Sequence, residues 1–216
     1  MTPRVALILA ELMSRRPELA PCEGELLSAY GLLEACFRAG GKVLACGNGG
    51  SAADADHIVG ELMKGFRLRR PLGPDLVEAL ERAIPGGGRA FADSLQAALP
   101  AMSLVGQTSL STAFANDVAP EMVFAQQVLG YGRPGDLLLA LSCSGDSPNV
   151  VNAALAARAF GLAVLGLSGR GGGRLARVAN LCLRGPADET WEAQELHQSV
   201  YHALCAMLEE NFFGDP

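Results

Sequence analysis

No run of about 18 apolar residues occurs in this 216-residue chain, so no segment reads as a membrane span. Basic residues are in deficit: 17 Lys and Arg stand against 23 Asp and Glu, and the net charge of −6 argues against nucleic acid as the main ligand. Cys22, Cys36, Cys46, Cys143, Cys182 and Cys205 include no C-x-x-C pair. Scattered through an apolar chain, they read as buried cytosolic thiols rather than disulfides or thiolate metal ligands. Internal repeats and low-complexity tracts are missing, and residues 1–16 are amphipathic with Glu11, Arg15 and Arg16, which does not read as a signal peptide. Aromatic residues make up only 6% of a chain that is 50% hydrophobic with 26 glycines, so the core must be built on Ala, Leu and Val. That mix suits one compact α/β domain over residues 1–216, long enough to bury a full core.

What is present is a set of apolar runs of strand length: residues 42–46, 101–105, 136–142, 163–168 and 181–184. They are continuous rather than alternating, as expected of strands covered on both faces. Helical segments are expected at 23–39, 148–160 and 191–213, with Ser147 as N-cap and Pro148 as first helical residue of the second. The pattern predicts a single doubly wound five-stranded parallel sheet with flanking helices, whose ligands bind at the carboxyl ends of the strands. Residues 71–100 interrupt it. Pro71, Pro74, Pro85, Pro100 and Gly86-Gly87-Gly88 mark an inserted segment, with short helices expected at 75–83 and 90–99.

Two strand-to-helix turns carry the chemistry. Cys46-Gly47-Asn48-Gly49-Gly50-Ser51 follows the first strand, with Ser51 expected as N-cap and Asp54 three residues on. Glycines admit a ligand close to the backbone, and N–H groups at a helix start favour an anion. Ser142-Cys143-Ser144-Gly145-Asp146-Ser147 ends another strand and offers hydroxyl and amide donors. Together the two turns read as a phosphate cradle. A third cluster, Ser168 to Gly173, reads as a tight turn with a surface arginine, and Lys64 to Arg70 as a local basic cluster open to phosphate.

Of the three histidines, His57 sits four residues before Glu61, on one helix face, in a spacing suited to zinc. His197 and His202 share the closing helix with Gln194 and Gln198. Gln194 pairs with His197 at i, i+3, and Gln198 with His202 at i, i+4. Spacing alone leaves open which of them converge. Val200, Leu204, Met207 and Leu208 form an apolar stripe on that helix, expected to be buried in an assembly of copies.

At these residues the chain resembles the phosphoheptose isomerases of the sugar isomerase (SIS) superfamily. The resemblance spans most of the chain: Cys46 to Ser51, His57 with Glu61, Asn116-Asp117, Ser142 to Ser147, and Gln194-Glu195-x-His197 leading to His202. It implies a cytoplasmic homotetramer with active sites at subunit interfaces, which isomerises sedoheptulose 7-phosphate to D-glycero-D-manno-heptose 7-phosphate. It further implies a zinc ion held by His57, Glu61, Gln194 and His202, with Glu61 and His202 as acid/base pair. Asn48, Gly49, Gly50, Ser51, Glu61, Asn116, Asp117, Ser142, Cys143, Ser144, Ser147 and Gln194 fall where the family binds its phosphosugar. The chain departs from the family pattern at Cys143 (usually threonine), Gly65 (usually arginine), Trp191 (usually acidic) and in the longer 71–100 segment. The rival readings are an isomerase of another phosphosugar and a non-catalytic phosphosugar-sensing or protein-binding module of the same fold.

Overall fold

The computed structural model describes residues 2–214. Five strands, β1 (Val43–Cys46), β2 (Ala101–Ser103), β3 (Leu137–Leu141), β4 (Ala163–Ser168) and β5 (Leu181–Arg184), form one parallel sheet in the order β2-β1-β3-β4-β5. Alternate side chains of these strands feed two cores. Val43, Ala45, Leu137, Leu139, Leu141, Leu165 and Leu167 pack beneath α1 (Pro3–Arg15), α2 (Glu23–Arg38), α3 (Gly50–Met63) and α10 (Thr190–Phe213). Leu44, Cys46, Leu138, Ala140 and Val164 face α7 (Val123–Tyr131), α8 (Pro148–Ala159) and α9 (Leu175–Val178). Both faces are covered, which is why the strands read as unbroken apolar runs. The chain reverses direction across the sheet between β1 and β3, the switch point at which such sheets bind ligands.

Several elements differ from expectation. The amphipathic first segment is α1, opened by Thr2 Oγ1 accepting from Val5 N at 3.3 Å. The inserted segment forms α4 (Pro74–Ala83) and α5 (Gly88–Asp93). The second of these is shorter than 90–99, because Ala97 N bonds Arg70 O at 2.8 Å and Leu99 N bonds Leu62 O at 3.0 Å, drawing the chain out toward β2. Between β2 and α7 lies α6 (Thr108–Asp117). Ser51 is not an N-cap: α3 starts at Gly50, with Gly49 at φ 56 in the cap position, and Ser51 is buried in the first turn. Val200, Leu204, Met207 and Leu208 of α10 are consumed by the chain's own core, so the stripe is no sign of a subunit contact.

Arg70 also departs from its reading as a phosphate ligand. It is fully buried and ion-paired with Glu209, Nε to Oε1 at 2.8 Å. The Glu209 carboxylate accepts from the backbone N–H groups of Phe66, Arg67 and Leu68 at 2.8, 2.6 and 3.0 Å. Arg70 donates to Leu62 O at 2.7 Å and Glu61 O at 3.0 Å, carbonyls at the C-terminus of α3 that have no intrahelical partner. The pair therefore caps α3 and fixes where Glu61 stands.

Burial works against ionisation of Glu209, but the Phe66 and Arg67 amides and Arg70 outweigh it and hold the carboxyl below the usual range. A lowered folded pKa gives stability that is present above the unfolded carboxylate range and is lost as pH falls through the folded value. Glu209→Ala would leave the guanidinium and three amides uncompensated. Urea unfolding at neutral pH should show a loss of about 3–5 kcal/mol, and the variant should lack this carboxyl's share of the wild type's acid destabilisation.

Candidate active site

Loop 47–49 after β1 and loop 142–147 after β3 face one another across the switch point. They enclose a cleft of about 150 Å³ lined by Asn48, Ser51, Leu141, Ser142, Cys143, Ser144, Ser147, Thr190 and Gln194. Ser142 Oγ donates to Ser147 Oγ at 3.0 Å, and Ser144 Oγ accepts from Asp146 N at 3.1 Å. Ser51 Oγ lies 3.8 Å from Cys143 Sγ, and burial pushes that thiol above its usual range, so it stays neutral. Ser147 occupies the N-cap position of α8 without capping it, its hydroxyl being engaged by Ser142. The starts of α3 and α8 both border the cleft, and their leading N–H groups together with the serine hydroxyls suit an anion of phosphate size.

The cradle is braced from behind. Gly145, at φ 70, sits against the backbone of Gly172 and Gly173, which leaves no room for a Cβ. Leu175 N donates to Gly145 O at 2.8 Å, Gly169 N to Cys143 O at 2.8 Å, and Arg174 N to Asp146 Oδ1 at 2.9 Å. The third glycine cluster is thus a buttress for the serine loop, while Arg170 points outward to Asp188 and Pro186 O. Asn149, which sequence reading passed over, exchanges two hydrogen bonds with Asn48, at 2.8 and 2.9 Å, and ties the two loops together.

Helices α3 and α10 run side by side away from this cradle. At one end Gly50 touches the Gln194 amide. Farther along, Tyr201 donates to Asp54 Oδ1 at 3.1 Å and lies 3.1 Å from His57 Nδ1. At the other end His57 Nε2 stands 3.2 Å from Glu61 Oε1 and 3.4 Å from His202 Nε2. Phe66 stacks on His202, with ring centroids 5.5 Å apart. Burial, then the neighbouring His57, lowers the basicity of His202, which keeps it neutral. A wider groove opens beside His202, lined by Ile8, Arg15, Phe66, Arg67 and Gln198 among others.

Of the residues expected in the site, one group gathers in the cradle: Asn48, Ser51, Ser142, Cys143, Ser144, Ser147 and Gln194, with Gly49 and Gly50 in its first loop. His57, Glu61 and His202 form a second group. His197 is in neither; it is sealed in the core with burial holding it neutral. Asn116 and Asp117 end α6, exposed and bonded to each other at 2.8 Å, outside the lining of the cradle. Gln194 lies eight residues before His202, about 12 Å along a helix, and its side chain stands at the cradle beside Gly50 rather than with the second group.

Among the described residues no group of three or more His, Cys, Asp and Glu side chains is arranged to hold a metal ion. The donor set at the second group nevertheless fits one. By donor type its members suit zinc, two imidazoles and a carboxylate, with Glu61 Oε1 at 3.2 Å and His202 Nε2 at 3.4 Å from His57 Nε2.

The SIS domain model matches residues 18–85 and 78–169, two pieces that meet within α4 and its turn. The phosphoheptose isomerase of Rhodospirillum rubrum is 41% identical over 192 residues, covering 89% of this chain and 88% of that protein. That of Akkermansia muciniphila is 37% identical over 196 residues, 91% of this chain and 90% of the relative. Among solved structures, a phosphoheptose isomerase from Neisseria gonorrhoeae superposes with a TM-score of 0.71 at 32% identity, over 96% of this chain and 97% of the other. One from Francisella tularensis gives 0.72 at 28% identity, over 97% and 100%.

Two glycines separate ligand binding from stability. An alanine Cβ at position 50 would come within 2.6 Å of Nε2 of Gln194, the free end of a flexible side chain, so Gly50→Ala should fold with near-normal stability but a displaced Gln194. At Gly145 the obstacle is backbone and φ is positive, so Gly145→Ala should cost about 2 kcal/mol or more. Thermal unfolding of the two variants, with phosphate binding measured by calorimetry, checks both expectations.

Proposed function

The chain belongs to the phosphoheptose isomerases within the SIS-domain family, and from that premise we propose that it interconverts sedoheptulose 7-phosphate and D-glycero-D-manno-heptose 7-phosphate. The observation that carries this reading is the pairing of an anion cradle with a His57–Glu61–His202 cluster along one pair of helices. The serine hydroxyls and helix-start amides hold the phosphate, which fixes the sugar chain by its far end. Glu61 removes the proton from the hydroxymethyl carbon next to the ketone, and the electron pair moves to form the enediolate. His202 passes a proton between the two oxygens. Return of the proton to the neighbouring carbon gives the aldose.

His57, Glu61 and His202 would hold a zinc ion, as their donor set fits. Bound there, the ion would act as a Lewis acid on the carbonyl oxygen. Glu61 has an oxygen for each of its two tasks: Oε1 faces His57 at 3.2 Å, and Oε2 meets Lys64 Nζ at 3.3 Å. Gln194, held at the cradle of its own chain, would complete the cluster of a second copy. That makes each active site the joint property of two chains. A shared site needs at least two copies; the homotetramer proposed here is the one the family resemblance implies, and exposed Leu7, Val118, Leu129 and Trp191 offer apolar surface for such contacts. Six free thiols suit the reducing cytoplasm.

Cys143 favours a second reading, an isomerase for a phosphosugar of another length, since it alters the floor of the cradle. A panel of ketose phosphates decides: the sedoheptulose ester should give the highest kcat/KM, and a higher value for a shorter sugar overturns the assignment.

Ser51→Ala and Ser144→Ala should each raise KM, as each removes a donor to a charged group worth about 1.5–3 kcal/mol; unchanged phosphosugar affinity in both contradicts the cradle. Metal analysis should find about one zinc per chain. His57→Ala should release it, His202→Ala should abolish turnover even where metal stays, and His197→Ala should keep the metal. Zinc lost from the His197 variant and retained by the other two contradicts the ligand assignment.

A further inference from the structure

We infer that Asp54 and Tyr201 form a positioning pair that holds His57 with its proton on Nδ1 and its Nε2 lone pair turned toward Glu61 and His202. The inference deepens the metal reading of that cluster and rests on it for its purpose, though not for its geometry.

The argument is one of counting protons. The Tyr201 phenol has a single proton, and besides a bond with the Gln198 amide, which can donate to the phenol oxygen, two groups on α3 could take it: Asp54 Oδ1 at 3.1 Å and His57 Nδ1 at 3.1 Å. The carboxylate can only accept. A bond to an ionised acceptor is roughly twice as strong as one between neutral groups, so the phenol donates to Asp54. Its oxygen is then free to accept, and the only donor His57 can offer it is Nδ1–H. The phenol is held for this role: Tyr201 is 1% exposed, and its ring meets His57 edge-on at a centroid distance of 5.5 Å. Asp54 Oδ2 is buried with no hydrogen-bond partner among the described residues, so Tyr201 is the one side chain bonded to this carboxylate.

With the proton on Nδ1, a neutral His57 presents a lone pair at Nε2, 3.2 Å from a carboxylate oxygen. That lone pair can take a metal ion, or Nε2–H of His202 at 3.4 Å when no metal is bound. In the other tautomer, Nε2–H would satisfy Glu61 directly and leave nothing to coordinate. The pair on α3 and α10 thus selects the coordinating form of His57 over the form that would close the cluster on itself. Tyr201 acts through His57 and is a positioning residue.

Long-range ¹H–¹⁵N spectra of the metal-free, full-length protein with labelled histidine test this, with His57→Gln used to assign the signal. The wild type should show His57 protonated at Nδ1. Tyr201→Phe removes only the hydroxyl; it should move His57 toward the Nε2-protonated form and weaken zinc binding, in competition with a chelator, by about 10–100-fold. KM for the phosphosugar should stay unchanged because the cradle is untouched. A wild-type His57 protonated at Nε2 overturns the inference without reference to any variant. So does a Tyr201→Phe protein whose tautomer and zinc affinity match the wild type. A wild type that binds no zinc defeats the metal reading alone, because the tautomer is read without metal.

Discussion

Eight residues of α-helix separate Gln194 from His202, and that spacing constrains everything proposed for this protein. A helix rises about 1.5 Å per residue and does not compress, so their backbone positions stay about 12 Å apart along the axis. Helix α3 lies along the same line, with Gly50 at the Gln194 end and His57 at the His202 end. The proposed anion cradle and the proposed proton-handling cluster therefore occupy opposite ends of one two-helix rail. A phosphosugar bridging them has its phosphate fixed by one end and its carbonyl delivered to the other. If Gln194 also serves the cluster, it does so for another copy, and the rail becomes the reason for assembly.

The rail is useful only if its ends are held. At the far end, the buried Arg70–Glu209 pair binds the last carbonyls of α3 and three amides of the following loop. Such a pair adds little net stability over an apolar alternative, but it specifies one backbone path for the residues around Glu61. At the near end, Gly172 and Gly173 press on Gly145, and Asn48 and Asn149 clasp the two loops. Between them, Tyr201 spans from α10 to two residues of α3. The Arg70–Glu209 and glycine braces act on backbone, the asparagine clasp joins side chains, and Tyr201 meets His57 at Nδ1, which leaves Nε2 free of it.

Features local in sequence were legible from sequence. The strands announced themselves as continuous Leu, Val and Ala runs, and β4 and β5 fall on residues 163–168 and 181–184 as expected. His57 and Glu61, four apart, do share a helix face. Ser51 misled because Gly49, at a positive φ that other residues avoid, takes the cap position and lets the helix begin two residues earlier. Arg70 misled because its partner Glu209 lies 139 residues away, and a basic run gives no hint of which member will be buried. Tyr201 and Asp54 were invisible for the same reason, being 147 residues apart. Choosing between His197 and His202 required the register of α10 against α3, which no spacing along one helix contains.

The shared active site is the central claim, and complementation between two inactive chains tests it most directly. Gln194→Ala destroys one half of each site and His202→Ala the other. Co-expressed or refolded together, the two variants should form mixed assemblies that recover about a quarter of wild-type activity if halves pair at random, because some interfaces join two intact halves. Each variant alone should stay inactive. Mixed assemblies, verified by mass, that remain as inactive as either parent would contradict a site built from two chains.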